Sequence, residues 1–185
     1  MRKNVNIHIG EYHASASPSI IHTVLGSCVA ACLFDPRSLI GGMNHILLPG
    51  KADLNHFDVS ARYGVNAMEL LINRMMKLGA KRNSLQAKVF GGAHVLPSIS
   101  RENGVGDKIS AFVIEFLQME NIRLINSDIG GSDSRKVFFY TDTGDAYVKK
   151  LPSLQLQKIA RKEKKASRRV KDIAGKPGDI TLFED

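Results

Sequence analysis

The sequence predicts an α+β fold in which a mixed or antiparallel sheet is layered against two main helices. Three observations lead there. Short β-branched, apolar runs separated by turn residues recur along the first 150 residues. Only two segments, 59–78 and 108–119, carry apolar residues at helical spacing. The strand-like runs come as hairpins more often than as strand–helix–strand units. From about Leu151 the patterning weakens, which divides the chain into a body, 1–157, and a basic C-terminal tail, 158–185, expected to be flexible.

Val5 to Ile9 alternates apolar with polar residues and reads as a first strand. Ser15-Ala16-Ser17-Pro18-Ser19 is a turn, and Ile20 to Leu25 is β-branched and extended. Val29 to Phe34 and Leu39 to Leu48 flank Asp35-Pro36-Arg37-Ser38, where Asp and then Pro suit a type I turn. A hairpin with Phe34 opposite Leu39 places Cys28 opposite His45. Directly opposed residues have Cβ atoms roughly 4.5–5.5 Å apart. The first helix spans about 59–78, with Asp58 as its N-cap, Gly79 at C′, and Val65, Met68, Leu71, Ile72, Met75 and Leu78 inward. Ala87 to Phe90 is a short strand before Gly91-Gly92. Asp107 can cap the second helix, which turns Ile109, Phe112, Val113, Phe116 and Leu117 inward. Ile122 to Asn126 is a strand, and 137–140 with 146–149 form a hairpin around Gly144. The total is seven or eight strands.

Composition narrows the function. A hydrophobic share of 43% over 185 residues suits one sizeable core. There is no apolar run of about 18 residues and no signal-peptide pattern at Met1–Asn6, so a cytoplasmic chain is expected. The net charge of +8 is concentrated: between Lys158 and Lys171 stand eight Lys or Arg residues and a single acid, Glu163, a net of +7. That run, 158–171, has no aromatics and the rest of the chain is near neutral, so nucleic acid is not the expected partner. The histidines show no His-x-x-x-His pair, and there is no CxxC, so neither a metal nor a cofactor is assigned.

The chemistry-bearing candidates cluster around Leu25-Gly26-Ser27-Cys28-Val29-Ala30 and Gly42-Met43-Asn44-His45-Ile46-Leu47-Leu48-Pro49. A thiol needs a nearby base, because the thiolate is the nucleophile. Gly26-Ser27 brings Cys28 to the point where a turn enters a strand, and backbone N–H groups at such a turn can face an oxyanion. A buried cysteine is also commonly a small hydrophobe, and from position alone both readings of Cys28 stand. Cys32, between Ala31 and Leu33, fits the structural role. His45 gains interest from its register with Cys28. Thr23 supplies a hydroxyl that can orient a histidine ring, with its neighbour His22 as the alternative. Gly91-Gly92 and Gly130-Gly131 complete no nucleotide-binding motif and read as turns that let backbone approach a site. His94 reads as an exposed loop histidine.

The string Thr23 to Cys32, together with Gly42 to Pro49, resembles CheD, the chemoreceptor glutamine deamidase family of bacterial chemotaxis. Gly10-Glu11-Tyr12, Lys88 to Ala93, Asp128-Ile129-Gly130-Gly131, Arg135-Lys136-Val137 and Thr141 to Gly144 extend the resemblance over about residues 5–150. It implies a layered α/β sandwich similar to the catalytic domain of cytotoxic necrotizing deamidase toxins. It implies hydrolysis of glutamine side chains on methyl-accepting chemotaxis receptors, with Cys28, His45 and Thr23 as the catalytic set. It also implies a CheC-like phosphatase as a partner. An adaptor that binds such a phosphatase or a receptor, with little catalysis, is the alternative reading.

Overall fold

The computed structural model describes residues 1–48, 59–94, 104–151, 161–163, 165, 166 and 168. Among them nine strands form two sheets. In chain order the strands are β1 (Lys3–Asn6), β2 (Tyr12–Ser15), β3 (Ser19–Leu25), β4 (Val29–Asp35), β5 (Ile40–Asn44), β6 (Gln86–Gly91), β7 (Arg123–Ile129), β8 (Arg135–Tyr140) and β9 (Ala146–Lys150). Helix α1 (Val59–Lys77) follows β5, and α2 (Val105–Met119) links β6 to β7. A 3-10 turn covers Arg82–Ser84. One sheet has the order β1-β3-β8-β9 and the other β2-β5-β4-β6-β7. Both are mixed: β1 runs parallel to β3 and β6 parallel to β7, while the other pairs are antiparallel.

Burial along the strands explains the layering. Every residue of β5 is buried, and so is all of β4 except Phe34, as expected of strands covered on both faces. Strands β3 and β8 alternate between buried and less buried residues, so the four-stranded sheet has one face in the core and one towards solvent. Gly41 and Gly42 mark the two contacts of β5. A Cβ at Gly41 would fall 2.6 Å from Thr141 Cα beyond β8, and one at Gly42 would fall 2.7 Å from Leu71 Cδ1 of α1. The five-stranded sheet therefore lies between the helices and the second sheet. Met68, Leu71, Ile72 and Met75 of α1 are fully buried, as the spacing predicts, with Val65 and Leu78 packed at the core's edge. Gly79 follows the helix with φ of 111°. The inward positions expected of α2 are all buried.

Several expectations shift. The first strand is Lys3–Asn6 rather than 5–9, and β2 is a strand that the sequence pattern does not predict, its last residue Ser15 falling at the start of the expected turn. Helix α2 starts at Val105 with Gly104 as its N-cap; Asp107 lies in the first turn, where its charge suits the helix dipole. The Asp58 cap lies outside the described residues. In the hairpin, Asp35 stays in the ladder opposite Ile40, so the pairing is displaced by two positions from Phe34 opposite Leu39. The reason is the Asp35 side chain. Its Oδ1 accepts from the Arg37 N–H, and Oδ2 accepts from the Ser38 hydroxyl and from the Lys81 N–H. The loop thus becomes Pro36 to Leu39, with Leu39 exposed at φ of 54°.

Candidate active site

The chain crosses from one sheet to the other at Gly26-Ser27-Cys28, between Leu25 of β3 and Val29 of β4. Gly91 and Gly92 support this crossing from beneath. The Gly92 N–H donates to Cys28 O (2.8 Å) and the Ala93 N–H to Gly26 O (2.8 Å). A side chain at Gly91, where φ is 112°, would collide with Cys28 O, so this close approach needs glycine. The second glycine pair braces the first: Gly130 N–H donates to Gly91 O and His94 N–H to Gly131 O. Arg135, 2% exposed, holds that outer loop through Asp128, Gly130 and Asp133. His94 is not a free loop residue; its Nε2 lies 2.9 Å from Asp107 Oδ2.

His45 is fixed from the other side. Its N–H donates to Glu11 O (3.0 Å) and its carbonyl accepts from Gly10 N–H (2.8 Å). The next residue, Ile46, exchanges both backbone hydrogen bonds with Val29 (3.0 and 2.7 Å). Cys28 and His45 therefore precede the two members of one reciprocally bonded pair. They are not directly opposed as the expected register had them; His45 lies across from Ala30. A displacement of two positions preserves the face, so thiol and imidazole are diagonal neighbours, a relation with spacing of roughly 7–8 Å. The regular ladder is interrupted beside them, because Asn44 Oδ1 accepts the Ala31 N–H (2.9 Å) while its Nδ2 reaches Ala67 O of α1 (3.2 Å).

Thr23 sets the imidazole's protonation. Its hydroxyl lies 2.7 Å from Ile7 O and 2.8 Å from His45 Nδ1. A carbonyl only accepts, so the single hydroxyl proton goes to Ile7. His45 must then donate from Nδ1, which leaves Nε2 as a bare lone pair. That Nε2 is buried and has no hydrogen-bond partner among the described residues, Cys28 Sγ included. Burial, with a smaller effect from the charge of His8, pulls the His45 pKa down to about 3, so the ring is a neutral base. His22, the alternative orienter, faces the other way and packs its ring against Phe138.

Cys28 is fully buried, and its thiol is pushed well above the ordinary range by burial first and then by the charge and hydrogen bonding of Glu163. Thiol and imidazole both rest in neutral forms. Cys32 is equally buried within β4, and burial pushes its thiol up against the smaller, opposing effect of the Lys88 charge.

Glu163 is the residue that sequence reasoning missed. Its carboxylate sits on the 26–28 turn: Oε1 accepts from Gly26 N–H (3.0 Å) and Cys28 N–H (3.3 Å), and Oε2 from Ser27 N–H (3.0 Å) and Ser27 Oγ–H (2.6 Å). The turn is thus a cradle of four donors for a negatively charged oxygen pair. The available signal was Glu163 as the lone acid in a basic run. Among the described residues, no group of three or more His, Cys, Asp or Glu is placed to hold a metal. No helix among them is long and apolar enough to cross a membrane.

The fold and site define an α+β protein with a thiol and a tautomer-locked imidazole at the junction of two sheets, beside a turn whose donors hold a carboxylate. A family model described as CheD chemotactic sensory transduction matches residues 47–150. A Shewanella oneidensis protein named "Probable chemoreceptor glutamine deamidase CheD 1" is 46% identical over 184 residues, covering 98% of this chain and 88% of that protein. Proteins named "Probable chemoreceptor glutamine deamidase CheD" are similar in Thiobacillus denitrificans (46% identical; 94% of this chain, 86% of that protein) and in Agrobacterium fabrum (43%; 98% and 97%). The chain belongs to the CheD family.

Proposed function

We propose that this chain hydrolyses specific glutamine side-chain amides on methyl-accepting chemotaxis receptors to glutamate, through a thioester on Cys28. The observation that carries this reading is the Thr23–His45 hydrogen bond, which leaves a bare Nε2 on the face that register gives to Cys28. The relatives' names supply the substrate class, and the donor cradle at Gly26, Ser27 and Cys28 suits a glutamate-sized side chain.

In the proposed reaction, His45 Nε2 accepts the Cys28 proton as sulfur attacks the amide carbon. The amide oxygen becomes an oxyanion facing the N–H groups of the turn, each such donor being worth about 3–4 kcal/mol. The intermediate collapses as His45 returns the proton to nitrogen, and ammonia leaves. Water then adds to the thioester with His45 as base, releasing glutamate and the Cys28 thiol. Thr23 is a positioning residue that holds His45 in the tautomer this sequence requires. Each event turns a neutral amide into a carboxylate that can be methylated and alters repulsion within the receptor helices, which serves adaptation. Residues 1–157 form the catalytic body, acting in the cytoplasm and similar in fold to the deamidase toxin domain. A CheC-like phosphatase is the partner that the family resemblance suggests.

Mass spectrometry of receptor cytoplasmic peptides tests this. Wild-type protein is expected to add about 1 Da per modified glutamine, as amide nitrogen is exchanged for oxygen, and Cys28→Ser protein to add none. Binding to receptor or phosphatase without any Cys28-dependent mass gain would replace the enzyme with an adaptor.

A further inference from the structure

We infer that the C-terminal helical segment is a product-like ligand of the chain's own active site, with Glu163 seated where the glutamate made from a receptor glutamine would lie. This rests on the reading of Cys28 as a deamidase nucleophile and adds its regulation: the segment must leave before a receptor side chain can enter.

The contacts of Glu163 support it. The carboxylate has no cation as partner in the turn. It is held by three backbone N–H groups and one hydroxyl, all from Gly26, Ser27 and Cys28. These are the donors that the reaction needs for its oxyanion, so the turn cannot serve Glu163 and a substrate at once. Glutamate is also the product of the reaction, with the chain length of glutamine. The described residues 161–163, 165, 166 and 168 are all helical, so the cradle accepts a side chain of that length presented by a helix. Orientation sorts the segment's charges. Glu163 is 6% exposed, while Arg161, Lys162, Lys165 and Arg168 are exposed. Ala166 packs against the core and anchors the same helical face. The carboxylate also adds its negative charge to the burial that keeps Cys28 protonated, which disfavours the thiolate as well as covering its donors.

The experiment uses the full-length chain with Glu163→Ala and Glu163→Gln, each with and without Cys28→Ser. Removing the carboxylate is expected to raise the iodoacetamide alkylation rate of Cys28 at least about tenfold, because the segment no longer covers the turn and its negative charge no longer opposes the thiolate. The Glu163→Gln chain places an amide in the cradle. Attack by Cys28, loss of ammonia and hydrolysis of the thioester would restore glutamate at position 163, a gain of about 1 Da that Cys28→Ser prevents. Faster alkylation in Glu163→Ala supports occupancy of the site, and Cys28-dependent reversion of Glu163→Gln fixes the occupant in the substrate position. Alkylation no faster in either variant than in wild type overturns the inference, even if receptor peptides are deamidated normally. Absence of Cys28-dependent deamidation of receptor peptides by Glu163→Ala, with Cys28 alkylated faster, instead removes the deamidase reading and leaves the occupied cradle standing.

Discussion

Cys28 and Cys32 are four residues apart, both wholly buried, and both held as thiols by the loss of water around them. Their backbones differ. Cys32 sits inside β4, paired with Met43 on one side and Lys88 on the other, so the ladders on both sides take up its surroundings. Cys28 sits one residue before the strand, where the chain changes sheets and three successive N–H groups point at a common spot. Burial alone does not make a thiol reactive, and here it opposes reactivity in both. The N–H groups around Cys28 lie outside the ladders and hold a carboxylate, whereas Cys32 has strand partners on both sides.

The largest effects should separate the two thiols most sharply. His45→Gln removes the base assigned to Cys28 in the proposed reaction and is expected to lower the rate of receptor-peptide deamidation by about 10²–10⁴-fold. Cys32→Ala, in the same assay, should stay within about twofold of wild type, with a loss of thermal stability from the missing buried sulfur. Equal losses in the two variants would mean that Cys32 shares the chemistry and that the strand-end distinction is wrong.

Much of this was legible in the sequence because turn chemistry and periodicity are local. The inward faces of α1 and α2, the Gly79 cap and the pairing of β8 with β9 follow from residue spacing alone. The face shared by Cys28 and His45 was legible too, since a displacement of two positions preserves side-chain parity. The displacement itself was not, because it depends on Asp35 being held by the distant Lys81 N–H as well as by its own turn. Strand β2 escaped because it pairs with β5 and gains its stability from that long-range partner rather than from its own pattern. Glu163 escaped for a related reason. Its role is set by contact with residues more than 130 positions earlier, and in sequence it reads as one acid diluting a basic tail.

Thr23→Val should have a smaller effect than loss of the base. Valine keeps the shape and leaves His45 Nδ1–H without its acceptor and Ile7 O without its donor. An unsatisfied buried polar group costs about 1–3 kcal/mol. Expressed as loss of tautomer control, this corresponds to a fall in kcat of about 10–100-fold with KM little changed, and Thr23→Ser should recover most of it. A purely structural role would show instead as lower stability with normal kcat in the folded fraction. Cys32 variants should be blind to this substitution, while alkylation of Cys28 should respond.

The smallest effect concerns pH and treats the thiols alike at one end of the scale while isolating His45 at the other. Folded His45 refuses a proton until about pH 3, whereas the unfolded ring accepts one near 6.5. Below 6.5 the unfolded chain therefore binds more protons, and stability falls as pH drops, by at most about 1.4 kcal/mol per pH unit from this group. Urea midpoints for wild type and His45→Gln between pH 7 and 4.5 should show a shallower decline in the variant. That window stays above the range where Asp35, held low by the Lys81, Arg37 and Ser38 donors despite its desolvation, begins to titrate. On the alkaline side the sign reverses for the thiols. Both are raised in the folded state, so stability is intact below the unfolded thiol pKa and declines as pH rises past it, for Cys28 and Cys32 alike. Adding Glu163→Ala should weaken the Cys28 part of that decline and leave the Cys32 part unchanged, because the carboxylate raises only Cys28. A change of the same size in a Cys28→Ala background would show that the carboxylate acts on stability by some route other than the thiol.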